Sequence, residues 1–261
     1  MSHKIDIVEN GTTTLLTAGK FCDRNIDINV NVESSGGTEI EDAFITGTLS
    51  GDYRNDRVTT VGQYGLYYKK NLVNIDLPSV VSIGDYAMAN CHSLISINIP
   101  NIETIGTSAF SSCWSLSSIN LETVKKISTN AFSGCWKFPS TISLPLLTYI
   151  DARAFQNCRL LSRADFPLAT TIQSQAFESC YSLTKLILRS PTLCRLASTT
   201  AFNYCYHILG TVDSTYNPEG LKDGYIYVPK NLIEQYKVET NWVTYADQFR
   251  AIEDYPEITG G

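Results

Sequence analysis

Apolar residues recur along this chain in two alternating phrases. The first ends in the period-2 alternation of a half-buried strand: Leu72, Ile75 and Leu77, then Leu94, Ile97 and Ile99, then Leu116, Ile119 and Leu121. It reads most clearly as LVNIDLP, LISINIP, LSSINLE and LSRADFP, and the proline that often follows ends strand pairing. The second phrase, IxxxAFxxC, is too short for a long helix and suits one or two helical turns.

The second phrase also sets the period. Cys91, Cys113, Cys135, Cys158, Cys180 and Cys205 stand 22, 22, 23, 22 and 25 residues apart. Three residues before them come Met88, Phe110, Phe132, Phe155, Phe177 and Phe202, each directly after an alanine. Four residues before the alanines lie Ile83, Ile105, Ile127, Ile150 and Ile172, with Leu196 one place out of step. A short strand and a short helical turn every 22–23 residues predict an α/β fold, a right-handed leucine-rich-repeat solenoid.

Counting back one period puts Val61 at the isoleucine site and Lys69 at the cysteine site, so residues 45–71 read as a degraded first repeat. After the last repeat, YIYVPKNLIEQYKVETNW predicts a strand at residues 225–228 and a helix starting near Pro229. Leu232, Ile233, Tyr236 and Val238 are placed to cover the final rung. Before the repeats, IDIVENGTTTLL and NIDINVNV alternate like strands, NG signals a turn, and ESSGG reads as a linker. The division is therefore a small β-module with linker at 1–37, a solenoid at 38–212 and a strand–helix cap at 213–261.

The phrase SIGxxAFxxCxSLxxIxLP resembles the BspA-like family of bacterial leucine-rich repeats over roughly residues 58–210. IYVPKNLIEQYKVETNWVTYADQFRAIED is similar to a segment that closes such arrays. DIVENGTTTLLTAGKFCDRNIDINVNV resembles a short β-module of phage tail-associated and prophage-encoded proteins. The resemblance implies surface binding or adhesion rather than catalysis, at a cell surface or on a virion.

Composition narrows the partners. Charged residues make up 18% of the 261, the formal net charge is −6, and no basic cluster marks a nucleic-acid contact. The opening MSHKIDIVENGTTTLLTAGK lacks the apolar core of a secretory signal. No apolar run reaches the roughly 20 residues of a membrane span. The expectation is a chain without membrane insertion that does not take the usual export route.

With Cys22 and Cys194 added, eight cysteines would suggest a disulfide framework in a small secreted chain. One cysteine per rung, inside an apolar phrase, instead favours small buried thiols packed on their copies in neighbouring rungs. Ligands in a line 22 apart do not make a tetrahedral metal site, and no cofactor motif is present. A nucleophilic thiol needs a base within hydrogen-bond reach. Cys91 with His92, or Cys205 with His207, is a distant candidate, because residues so close in sequence tend to point apart in such turns.

If each cysteine faces inward, the residue after it turns outward. Those residues are His92, Trp114, Trp136, Arg159, Tyr181 and Tyr206, one ladder along one edge at about 5 Å per rung. Trp, Tyr and Arg dominate binding hot spots. Such a ladder suits a glycan or an extended protein surface; equally, the rings shield the turns and stack on one another. A weaker candidate is the polar strip on the strand face: Asn74, Asp76, Ser96, Asn98, Ser118, Asn120, Arg163, Asp165 and Lys185. The expected function is non-catalytic recognition of a surface protein or glycan, with the N-terminal module as a possible attachment to other subunits. A passive spacer is the alternative, and a thiol-dependent enzyme a distant third.

Overall fold

The computed structural model describes residues 5–9, 12–16, 39–40 and 50–259. Ile5–Glu9 and Thr12–Leu16 pair antiparallel with Glu9 opposite Thr12, the hairpin that the NG signal calls for. The expected strand NIDINVNV, the ESSGG linker and Cys22 lie outside the described residues.

Each rung carries two strand sites. The apolar alternation forms one: Ser50–Arg54, Asn71–Asp76, Ser96–Asn98 and Ser118–Ile119 pair in parallel. The second site holds only two residues per rung, ending at the repeated isoleucine, and stacks into an eight-stranded parallel ladder from Glu39–Ile40 to Arg195–Leu196. The stack thus begins one rung before the degraded repeat at Val61, since Glu39–Ile40 pairs with Thr60–Val61. Between the two sheets lies the core. One rung supplies Leu94, Ile97, Ile99, Ile102, Ile105, Ala109, Phe110 and Cys113, all buried. Phe110, Phe132, Phe155, Phe177 and Phe202 stack face to face at 5.2–5.7 Å between ring centroids, an internal column at the rung pitch.

The segment from the isoleucine to the cysteine is a chain of tight turns rather than regular helix. Two residues per rung adopt the left-handed conformation: Tyr86 and Asn90, Ser108 and Ser112, Asn130 and Gly134, Arg153 and Asn157, Gln175 and Ser179. The consequence is visible in the donors. The N–H groups of Ala87, Ala89 and Cys91 close turns inside their own rung, while those of Tyr86, Met88 and Asn90 donate to carbonyls of the next. An α-helix would keep every N–H within the rung. Among the described residues of the repeats only the last rung winds up, as the 3-10 helix Thr199–Phe202 and the short helix Tyr206–Leu209.

The longer strand ladder breaks once. Thr141–Ser143 pairs forward with Arg163–Phe166 and, through Lys185–Leu188, Tyr225–Val228 and Phe249–Ala251, makes a separate five-stranded sheet. The break coincides with the one 23-residue step between the first five repeat cysteines and with Pro139. In the rung before, Ser117 donates its N–H to the Ile95 carbonyl. Pro139 follows the buried Phe138 as Ser117 follows Leu116, and has no N–H to give.

The C-terminal residues continue the sheet and seal its end. Terminal strands expose unpaired backbone groups. Here the Cys194 N–H donates to the Tyr236 hydroxyl at 2.8 Å, and Trp242 Nε1 donates to the Cys194 carbonyl at 2.6 Å. Asn241 and Tyr245 cover the carbonyls of Leu196 and Thr199. The helix Ile233–Val238 follows Pro229 and the 3-10 turn Lys230–Leu232, and buries Leu232 and Tyr236 as expected. Val238 differs: as the last helical residue it is 79% exposed and covers nothing.

Candidate functional site: an aromatic and cationic ladder

From Cys91 to Cys180 the cysteine carbonyl accepts the N–H of the residue three places on, as Leu94 to Cys91, Leu116 to Cys113 and Phe138 to Cys135, whereas Cys205 caps the short helix that begins at Tyr206 and accepts from Leu209. Both ends of this β-turn are buried, so its second residue is pushed outward at the same point of each of these five rungs. That residue is the ladder residue. His92 and Trp114 stack at 3.7 Å and 2°, and Trp114 and Trp136 at 5.0 Å and 7°. The Arg159 guanidinium lies 4.5 Å over Trp136 and 5.6 Å over Tyr181. Tyr181 then stacks on Tyr206 at 5.2 Å. All six residues singled out in the sequence thus form one continuous column.

The column is open at its rim rather than at its faces. Trp114 and Trp136 remain 37% and 38% exposed although both faces of each ring are in contact. Neither indole N–H donates to another protein group among the described residues, and Arg159 Nε is buried without a partner. Burial, and then the charge of Lys70, hold His92 below the usual histidine range. At the far end Tyr216 packs 4.4 Å from Tyr181, held there by a loop organised around the buried Asn217.

The sequence reading missed the near end. Leu72 donates its N–H to the Lys69 carbonyl, so Lys70 occupies the ladder position of the rung that holds Val61, with its Nζ 4.1 Å over Tyr68. Tyr68 reaches His92 at 6.3 Å, and Tyr64, Tyr67 and Tyr86 join it in a contiguous ring cluster. Tyr64, Tyr68 and Tyr86 all have positive φ, a conformation that costs a bulky residue about 1–2 kcal/mol. Aligning the rungs exposes this signal, since the equivalent positions of the next rungs hold Ser108, Ser112, Asn130 and Gly134 instead of a ring.

Six copies of the BspA type leucine rich repeat region match the sequence, over residues 59–184 and 125–215. The chain belongs to the BspA-type leucine-rich-repeat family. Its fold is similar to that of a leucine rich cell surface protein from Faecalibacterium prausnitzii A2-165, with a TM-score of 0.58 and 24% identity over 70% of this chain and 48% of that one. The chain therefore spans about half the length of that structure. A leucine-rich repeat protein from Eubacterium ventriosum matches with a TM-score of 0.50 and 27% identity, over 62% of this chain and 44% of that one. The T. pallidum leucine rich repeat protein matches with a TM-score of 0.50 and 25% identity, over 63% of this chain and 74% of that one. No curated protein matches the sequence.

In this BspA-type array the strand face is already occupied by its own bonds. Asn74 donates to Asp52, Ser96 to Asn74 and Asn98 to Asp76, while Arg54 pairs with Asp76. Ser118 and Asn120 are exposed, and the Asn120 side chain accepts the Glu122 N–H. Beyond the sheet break, Arg163 approaches Asp165 at 3.6 Å and Lys185 is half-buried. Asp165 itself is buried, accepting two donors of Arg189, which also reaches the Ile258 carbonyl. Ile187, Tyr227, Ile252 and Ile258 form a small apolar cluster there, so the C-terminal segment lies on this part of the face. Sequence alone treats the nine polar residues as one open strip; the structure encloses Asp165.

The six repeat cysteines and Cys194 are thiols, and all seven are buried. Each repeat Sγ donates to the carbonyl at the phenylalanine site of the preceding rung, as Cys113 to Met88 and Cys135 to Phe110, at 3.1–3.4 Å. Burial pushes the Cys91 and Cys194 thiols up to about 12, and the others upward too. An activated nucleophile needs the opposite shift. Among the described residues no group of metal-binding side chains is assembled, and no helix is long and apolar enough to cross a membrane.

Proposed function

We propose that this chain is a non-catalytic recognition protein, displayed on a cell surface or a virion, that contacts its ligand along the aromatic ladder. The observation that carries the reading is the unbroken column from His92 to Tyr206, in which Trp114 and Trp136 keep exposed edges although both faces of each ring are filled. Planar side chains held by buried turns lose little entropy on binding, the property that favours Trp and Tyr in recognition surfaces. The N-terminal hairpin would join the array to further subunits. Mutual stacking of the rings is the observation that favours the rival, a spacer whose ladder only stiffens it.

Intrinsic fluorescence separates the two. Trp114 and Trp136 are exposed and Trp242 is fully buried, so acrylamide quenching reads the ladder. Protein bound to surface polysaccharide or surface protein extracts is expected to lose most of that quenching. Binding that leaves quenching unchanged would move the interface elsewhere, and an absence of binding would favour the spacer.

A further inference from the structure

The charge of the ladder runs against that of the molecule. Taking the ladder residue and its successor in every rung, the charged or basic side chains are Lys70, His92, Lys137, Arg159 and His207, and none is acidic. The whole chain nevertheless carries a formal charge of −6. Some cations elsewhere are matched, as Arg54 with Asp76, Lys125 with Glu103 and Arg189 with Asp165, while others such as Lys126, Arg153 and Arg195 have no carboxylate partner among the described residues. Among the described residues Lys70, Lys137 and Arg159 pair with no carboxylate. The acidic groups near the ladder stand at its far end, where Asp213 neighbours Tyr206 and Asp223 pairs with His207. The stretch from Lys70 to Arg159 is therefore a positive ridge on a negative protein, an arrangement that draws anions.

Arg159 adds an independent observation. Its guanidinium carbon lies 4.5 Å from the Trp136 ring centroid and 5.6 Å from that of Tyr181, and it makes no hydrogen bond to the described residues. The buried Nε–H is out of a ligand's reach, which leaves the terminal amino groups of the guanidinium for recognition. A planar fork fixed by stacking presents two parallel N–H groups to a carboxylate without further loss of freedom. The aromatic edges beside it carry the positive end of the ring quadrupole, and two indole N–H groups are free to donate.

Resting on the recognition reading above, we infer that the ligand of this ridge is an extended acidic polysaccharide bearing carboxylates, lying along the solenoid axis from Lys70 to Arg159. Spacing favours a polysaccharide over an acidic peptide. Rungs repeat at about 4.8 Å, close to the advance of one sugar in an extended chain, whereas same-side groups of an extended peptide recur at about 6.7 Å. Lys70 and Arg159 are four rungs apart, about 19 Å, a span of several sugars.

The test uses the full chain and three probes, polygalacturonate, a neutral galactan and poly-L-glutamate, with Arg159→Gln, Lys70→Gln and the Trp114→Ala/Trp136→Ala double variant. Thermal unfolding checks each variant, and Arg159→Lys stands in if Arg159→Gln does not fold. The expected result is binding of polygalacturonate that weakens with salt, falls about tenfold in Arg159→Gln and is lost in the double tryptophan variant. Equal binding of galactan, unaffected by Arg159→Gln but lost in the double variant, would overturn the acidic ligand and leave the ladder reading standing. Poly-L-glutamate binding as tightly as polygalacturonate would overturn the polysaccharide assignment. Polygalacturonate binding that survives the double variant, or no binding of it at all, would overturn the inference.

Discussion

Cysteine serves this repeat as a small apolar residue with one weak donor. Its side chain fits beside the phenylalanine column, and its S–H reaches a carbonyl of the rung before, so thiols rather than disulfides link neighbours. Cys135→Ala should cost about 1–2 kcal/mol in denaturant unfolding, the sum of one hydrogen bond and a small void. The raised thiol values also set a pH dependence. In the unfolded chain these groups lose protons from about 9 upward, while folded Cys91 and Cys194 hold theirs to about 12. Their contribution is thus complete below about 9 and is lost as pH rises toward 12. The melting temperature should fall as pH rises from about 9 toward about 12, less steeply in Cys91→Ala, and the seven described thiols should resist alkylation until the chain unfolds. At the other polarity, Tyr204 has φ 59°, is 57% exposed and stacks on no ring among the described residues. Tyr204→Asn should raise stability by about 1 kcal/mol, because asparagine tolerates the left-handed region.

Rungs are fixed by how closely their backbones approach. A Cβ at Gly106 would lie 2.6 Å from the Gly84 carbonyl carbon and 2.7 Å from the Asp85 nitrogen. Gly106→Ala should therefore destabilise by about 1–3 kcal/mol, as overpacking does, with no change at the ladder. Trp242→Ala, which removes a fully buried ring and the donor to the Cys194 carbonyl, should cost about 3–5 kcal/mol by thermal unfolding. The period, the buried Ile, Phe and Cys sites and the six outward residues were legible in the sequence because each is written once per rung in the same place. The second sheet was not, since two residues per rung carry no alternation to read. The turns were opaque for a related reason: left-handed positions hold Tyr, Ser, Arg and Gln instead of glycine. Lys70 was missed because its rung has lysine at the cysteine site, and Asp165 because its cover comes from residues almost a hundred positions away.

For the whole molecule, stacking makes a linear array in which one residue type, repeated, becomes a continuous surface. The recognition account asks that this surface be dispensable for folding and required for binding. Trp114→Ala/Trp136→Ala removes ring and cation contacts worth about 1 kcal/mol each. In a chain of this size that lowers the melting temperature by several degrees and leaves the protein folded at about 25 °C. The most direct measurement is the binding isotherm of the wild type, this double variant and Asn74→Ala/Asn98→Ala on a panel of intact bacterial and epithelial cells, at a temperature where all three are folded. The account predicts saturable wild-type binding that the ladder variant loses and the strand-face variant keeps. Full binding by the ladder variant, or loss confined to the strand-face variant, would contradict it.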